Sequence, residues 1–277
     1  MNGFMECPMA PPGGWGSQKP PAGVPIDASH PLANGLVGFL ALNEGAGTTA
    51  ADATGLRAPA KMYPTASPPT WNGAALRFDG SAHSRYVALS NAGWPKLVGA
   101  FAMTVKIRPT EWSASSHEGV YGGNGLGTGD GFAMTRSYST DEIWFDQYSA
   151  ADVRTYTRIS ASYVPAKTWT TVTYQWSGPG NRANAWVNGI QRGVSYTMIG
   201  GIPTDVGWGT APLTLGASRL SYYYFNGDIE FAALHNRALS DDEIRRLHAD
   251  PYSLFASAPS SAFDVSNRRR RLLCGAA

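Results

Sequence analysis

The sequence predicts an all-β chain: a two-sheet antiparallel sandwich with one short helix near its C-terminus and an extended segment at each end. Three observations carry that expectation. Glycine (32 residues), aromatic residues (12%), serine and threonine are plentiful while charged residues reach only 15%, which favours pleated sheets joined by tight turns over solvent-facing helices. Short apolar runs recur at intervals of about ten to fifteen residues, and several alternate with polar positions. Asn188-Gly189, following Ala185-Trp186-Val187, supplies two adjacent residues that tolerate positive φ, the requirement of a type I′ hairpin turn.

The elements follow in order. Residues 1–31 carry Pro8, Pro11, Pro12, Pro20, Pro21, Pro25 and Pro31, a composition that favours extended backbone and reads as an arm without its own core. The sandwich is expected over 32–256, opening with the apolar run Leu36–Leu42. Further strands are expected at Ala75–Phe78, Tyr86–Leu89, Phe101–Ile107, Phe132–Arg136, Glu142–Tyr148 and Arg154–Ile159. Thr170–Trp176, Ala183–Val187, Leu213–Ala217 and Asp228–Leu234 complete the set. In Phe101–Ile107 the residues Phe101, Met103, Val105 and Ile107 share one face against Ala102, Thr104 and Lys106, so each strand has one side to bury. Two sheets face to face bury many such strands at once. Ser240 and Glu243 form a capping box, Leu239 and Ile244 a staple across it, and Asp250-Pro251 a stop, which predicts a short helix lying flat on the sandwich. Residues 257–277 read as a Ser/Ala/Pro and Arg-rich tail.

The net charge of +2 includes Arg268, Arg269, Arg270 and Arg271, and without them the chain sums to −2, so the folded part is no polyanion binder and specific nucleic-acid recognition is not expected. The two cysteines, Cys7 and Cys274, lie in the terminal segments and cannot staple the core. No apolar run approaches the roughly 20 residues of a membrane span, and the first residues lack the pattern of a secretory leader. His30, His83, His117, His235 and His248 lack transition-metal spacing. No cofactor is required on this reading.

Several segments stand out: Asp52-x-x-Gly55, Gly73-Ala74-Ala75-Leu76-Arg77-Phe78-Asp79-Gly80, Trp169-Thr170-Thr171-Val172, Trp186-Val187-Asn188-Gly189, and Phe225-Asn226-Gly227-Asp228-Ile229 leading into Asn236-Arg237-Ala238-Leu239-Ser240. In combination they resemble the laminin-G-like jelly-roll family of concanavalin A-like folds across residues 35–250. The opening at His30-Pro31-Leu32-Ala33 and the close at Asp250-Pro251-Tyr252-Ser253-Leu254-Phe255 look like versions of this domain in tailed-phage and prophage virion proteins. That resemblance implies a non-enzymatic structural or decoration protein of the virion. Such a protein is assembled in a bacterial cytoplasm and present in many copies, and it docks on the major capsid protein or another virion component. The alternative is a carbohydrate-binding module that mediates adhesion to glycans or a host surface, and a glycan hydrolase is a third reading. Against hydrolysis, the Glu-x-Asp-x-x-Glu spacing of related glucanases is absent: Glu142 and Asp146 share a strand face, but Trp144 stands between them.

For ligand contact, the sequence singles out Trp112, Tyr121, Trp208, Tyr222, Tyr223 and Tyr224 as loop aromatics, suited equally to stacking a sugar ring or to a protein interface. Partner docking is expected of Phe4 and Trp15 in the arm and of Arg268, Arg269, Arg270 and Arg271 in the tail. The resemblance also implies a structural calcium at a sandwich edge, with Glu44, Asp52, Asp79, Asp228 and Glu230 as its ligands. Where the family carries Gly-x-Ile-Asp, this chain reads Gly227-Asp228-Ile229-Glu230, a longer carboxylate arm.

Overall fold

The computed structural model describes residues 15, 18–80, 85–89, 97, 99–123, 131–148, 153–201, 212–219 and 223–256. Nineteen strands and one α-helix occur among them. In the first half of the chain these are β1 (Leu36–Leu40), β2 (Thr49–Ala50), β3 (Ala60–Tyr63), β4 (Thr70–Trp71), β5 (Leu76–Asp79), β6 (Tyr86–Leu89), β7 (Phe101–Pro109), β8 (Glu118–Gly122) and β9 (Gly131–Ser137). There follow β10 (Glu142–Tyr148), β11 (Arg154–Ser160), β12 (Thr170–Trp176), β13 (Ala183–Val187), β14 (Ile190–Arg192) and β15 (Ser195–Ile199). Last come β16 (Leu213–Leu215), β17 (Ala217–Arg219), β18 (Tyr223–Tyr224), β19 (Asn226–His235) and helix α1 (Asp241–Ala249).

The strands pair antiparallel in two large sheets, as expected of a jelly-roll sandwich. An eight-stranded sheet runs β14-β13-β12-β7-β19-β5-β4 with β1 also on β19; a nine-stranded sheet runs β15-β11-β10-β9-β8-β16-β6-β3-β2. Strands β17 and β18 form a separate ribbon. Between the sheets, alternate residues from both interdigitate: Phe101, Val105, Val172, Tyr174 and Trp176 from one, Tyr121, Phe132, Met134, Ile143 and Phe145 from the other. Phe145 stacks on Tyr174 at 5.0 Å, and the buried Tyr174 hydroxyl donates to Gln147 Oε1 at 3.1 Å, so this core phenol is satisfied where it would otherwise cost about 1–3 kcal/mol.

A second core lies on the outer side of the eight-stranded sheet. Phe39 of β1 and Phe231 of β19 stack at 5.6 Å, and Tyr252 and Phe255 close over them edge-on. Helix α1 lies here too: its capping box is formed, with the Ser240 side chain accepting from Glu243 N–H and Glu243 from Ser240 N–H, and it buries Ile244 and Leu247.

Here the described part of residues 1–31, residues 15 and 18–31, departs from the expectation of an arm. Trp15 is buried in this second core and its Nε1–H donates to the Ala256 carbonyl at 3.1 Å. Ile26 bridges Phe255, Asp27 N–H donates to the Leu254 carbonyl and Ala256 N–H to Pro25, so the described part of the segment is a strap laced to residues 254–256. Lys19 Nζ donates to the carbonyls of Leu42, Ala74 and Glu230, and burial pulls its pKa down to about 8. Proline-rich backbone has few N–H groups to satisfy, so it can lie flat on an apolar surface without joining a sheet.

Candidate functional site

The outer side of the nine-stranded sheet is built differently. In β10, Ile143, Phe145 and Gln147 point into the core, which sends Glu142, Trp144, Asp146 and Tyr148 outward. Register places Arg158 of β11 opposite Trp144, Tyr156 opposite Asp146 and Arg154 opposite Tyr148. Thr135 and Ser137 of β9 flank the row on one side, Ser195 and Thr197 of β15 on the other.

These outward side chains form a continuous line of rings. Tyr148 lies 6.4 Å from Tyr156, Tyr156 lies 5.9 Å from Trp144, and Trp144 lies 5.6 Å from His117. His117 in turn meets Tyr138 at 5.0 Å and Tyr223 at 4.9 Å. Trp144, Tyr156, His117 and Tyr223 are half-buried and Tyr138 is exposed, while Tyr148 is buried. The guanidinium of Arg158 sits 5.2 Å from the Trp144 ring and 5.7 Å from that of Tyr156, and Arg154 lies 5.2 Å over Tyr148. Glu142 Oε2 accepts from Trp144 Nε1–H at 3.1 Å, and buried Asp146 accepts from the Tyr148 hydroxyl at 3.4 Å.

The ribbon β17–β18 brings Tyr223 to this row. The strand expected over Leu213–Ala217 breaks at Gly216, whose φ of +81° turns the chain out of the sheet. The ribbon then crosses β8 so closely that a Cβ on Gly119 or Gly122 would stand 2.2 or 2.0 Å from the Ser218 backbone. Only glycine fits at either position.

A second concavity of about 420 Å³ opens at the end of the sandwich, among Asp79, Glu111, Trp112, Ser113, Glu118 and Tyr224. Burial pushes the Glu118 carboxyl up to about 7, opposed by the Ser113 and Asn226 N–H groups that its two oxygens accept. Glu118 therefore ties the turn at Ser113 to the start of β19.

Of the aromatics singled out in sequence, the structure brings Tyr223 to the ring row and Trp112 and Tyr224 to the end cleft. Trp112 packs on Phe225 at 6.0 Å and donates Nε1–H to Val164 at 2.7 Å. Tyr121 is not a loop residue: it sits in β8 with 1% exposure, facing the core against Phe132, because the glycines around it face out under the ribbon. Trp208, Tyr222, Phe4 and Arg268 to Arg271 lie outside the described residues. Trp15 is an internal anchor, not a projecting one.

The five carboxylates expected to hold calcium are spread apart, each with its own partner. Glu44 accepts from Ala51 N–H, and Asp52 from Phe39 N–H, Thr54 N–H and the Thr54 hydroxyl. Asp79 pairs with Arg85 at 3.3 Å; Asp228 is clamped by Arg77 and Arg108, both at 2.7 Å; Glu230 pairs with Lys106 at 2.9 Å. These residues do not fit a calcium cage, and among the described residues no group of three or more His, Cys, Asp or Glu is placed to hold a metal ion.

Sequence reasoning missed Trp144, Tyr156, Arg158, His117 and Tyr138. The signal that finds them is aromatic and polar residues alternating on the face opposite the core face of two consecutive strands.

A family model described as the concanavalin A-like lectin/glucanases superfamily matches residues 79–245. No curated protein matches in sequence. Among solved structures, the binding domain of botulinum neurotoxin serotype G has a TM-score of 0.58 at 13% identity, covering 77% of this chain and 50% of that one. Trypanosoma rangeli sialidase in complex with sialic acid has a TM-score of 0.55 at 17% identity, covering 78% and 33%. A botulinum neurotoxin type C structure, described by cell entry that depends on two ganglioside molecules, has a TM-score of 0.52 at 14% identity, covering 77% and 50%. The chain spans about half the length of the toxin domains and a third of the sialidase. At these identities the likeness is one of fold.

Proposed function

Because the chain belongs to the concanavalin A-like lectin/glucanases superfamily, we propose that it is a non-enzymatic carbohydrate-binding module whose contact surface is the ring row on the nine-stranded sheet. The row Tyr148–Tyr156–Trp144–His117 carries this reading. Aromatic faces stack on the apolar faces of sugar rings, and the hydroxyls and carboxylates beside them suit sugar hydroxyls. Two structures of similar fold are described with carbohydrate, sialic acid in one and gangliosides in the other.

Glu142 and Asp146 support binding without hydrolysis. They stand four residues apart on one strand, about 13 Å along the backbone. Each is also engaged, Glu142 by the Trp144 indole and Asp146 by the Tyr148 hydroxyl.

Trp144→Ala and Tyr156→Ala are expected to weaken glycan binding about tenfold or more while leaving the melting temperature nearly unchanged, since both rings are half-buried. A glycan array silent for the intact chain, or binding indifferent to both substitutions, would sink the reading. Display on a tailed-phage particle is a separate proposal supported by the sequence resemblance. Mass spectrometry of purified particles tests it, and absence of the chain from them would refute it.

A further inference from the structure

We propose that the glycan carries an anionic substituent, a carboxylate or a sulfate ester, and that Arg158 receives it. This rests on the glycan-binding reading above. Arg158 projects from the middle of β11 between the two rings best placed to stack a sugar, Trp144 and Tyr156. Its Nε is enclosed yet has no hydrogen-bond partner, and among the described residues it makes no ion pair. Two arginines of the eight-stranded sheet are treated differently: Arg77 and Arg108 both close on Asp228.

Nearby acids do not fill the gap. Glu142, the acid next to Trp144 on its own strand face, is turned to the Trp144 indole N–H, and Asp146 is buried beneath the Tyr148 hydroxyl. Arg154, over Tyr148 on the same face, adds a second positive charge further along β11. Arg158 is half-buried and has no acid partner of its own among the described residues, so an incoming anion supplies the one it lacks. The guanidinium, 5.2 and 5.7 Å from the flanking rings, is a planar donor fork of the geometry that carboxylate and sulfate oxygens accept in pairs.

The test uses the full chain on an array printed with matched neutral, carboxylated and sulfated forms of the same oligosaccharides. Anionic members are expected to bind about tenfold or more tightly than their neutral counterparts, with the preference shrinking as salt rises from about 0.05 to 0.5 M. Arg158→Gln is expected to weaken anionic members about tenfold or more beyond any change in their neutral counterparts, which removes the preference, and Arg158→Lys to fall between. A preference confined to carboxylated or to sulfated members identifies the group. Should Arg158→Gln keep the preference, or neutral members bind as well as anionic ones to the unaltered chain, the inference is overturned and the glycan-binding reading stands. Should no member of any class bind, both fall together. Thermal melting of each variant separates lost recognition from lost folding.

Discussion

On the outer side of the eight-stranded sheet, Phe39, Phe231 and Trp186 are roofed by helix α1, by residues 251–256 and by the strap that carries Trp15, and the charges beyond them close into pairs with Asp228 and Glu230. On the outer side of the nine-stranded sheet, positions of the same alternation carry Trp144, Tyr156 and Arg158, with no such roof of apolar side chains among the described residues, and Arg158 lacks the acid that Arg77 and Arg108 have. Both faces are aromatic. What separates them is whether the chain itself supplies the partner, and the face whose rings and cation are left for something else to complete is the one proposed to bind.

Substitutions divide the two faces by what they damage. Phe231 has no exposure and is packed between Phe39 and Tyr252, so Phe231→Ala is expected to cost about 3–5 kcal/mol of stability while the fraction that remains folded binds glycan as before. Chemical denaturation alongside titration on the array measures both. If Phe231→Ala weakened binding in step with Trp144→Ala, the faces would be coupled and the comparison would fail.

The smallest effect at neutral pH is at His235, which is fully buried and whose Nε2–H donates to the Leu32 carbonyl at 2.9 Å. Burial lowers its pKa from 6.5 to about 4. Between those values the unfolded chain takes up a proton that the folded chain refuses, so the stability His235 contributes is complete above about pH 6.5 and is lost as pH falls toward 4. In His235→Gln, which retains a donor and cannot titrate, the melting temperature is expected to fall less steeply over that window. Parallel acid melting curves for the two proteins would count against the assignment.

The sandwich was legible because its core strands alternate: Phe101–Ile107 and Thr170–Trp176 appear in the structure as β7 and β12, and the box at Ser240 starts α1. Strand β8 was not, since Gly119 and Gly122 weaken strand propensity for a reason local sequence cannot show, the passage of Ser218 across them. The strap was misread for a related reason. Its apolar residues, Trp15, Val24, Ile26 and Leu32, are too dispersed to mark an element, and their partners lie more than two hundred positions away. Within the binding face, Trp144 stood out in sequence only as an interruption between two acids; its meaning depended on β11 lying alongside, which register supplies and spacing does not.

Pro25, Ile26 and Asp27 are laced to residues 254–256. The first and last described stretches of backbone meet beside Trp15 and Phe255, on the flank away from Trp144 and Arg158. A support that gripped the protein at these two stretches would hold it by its back and leave the proposed contact row facing the medium, where many copies side by side would add weak individual contacts into firm attachment.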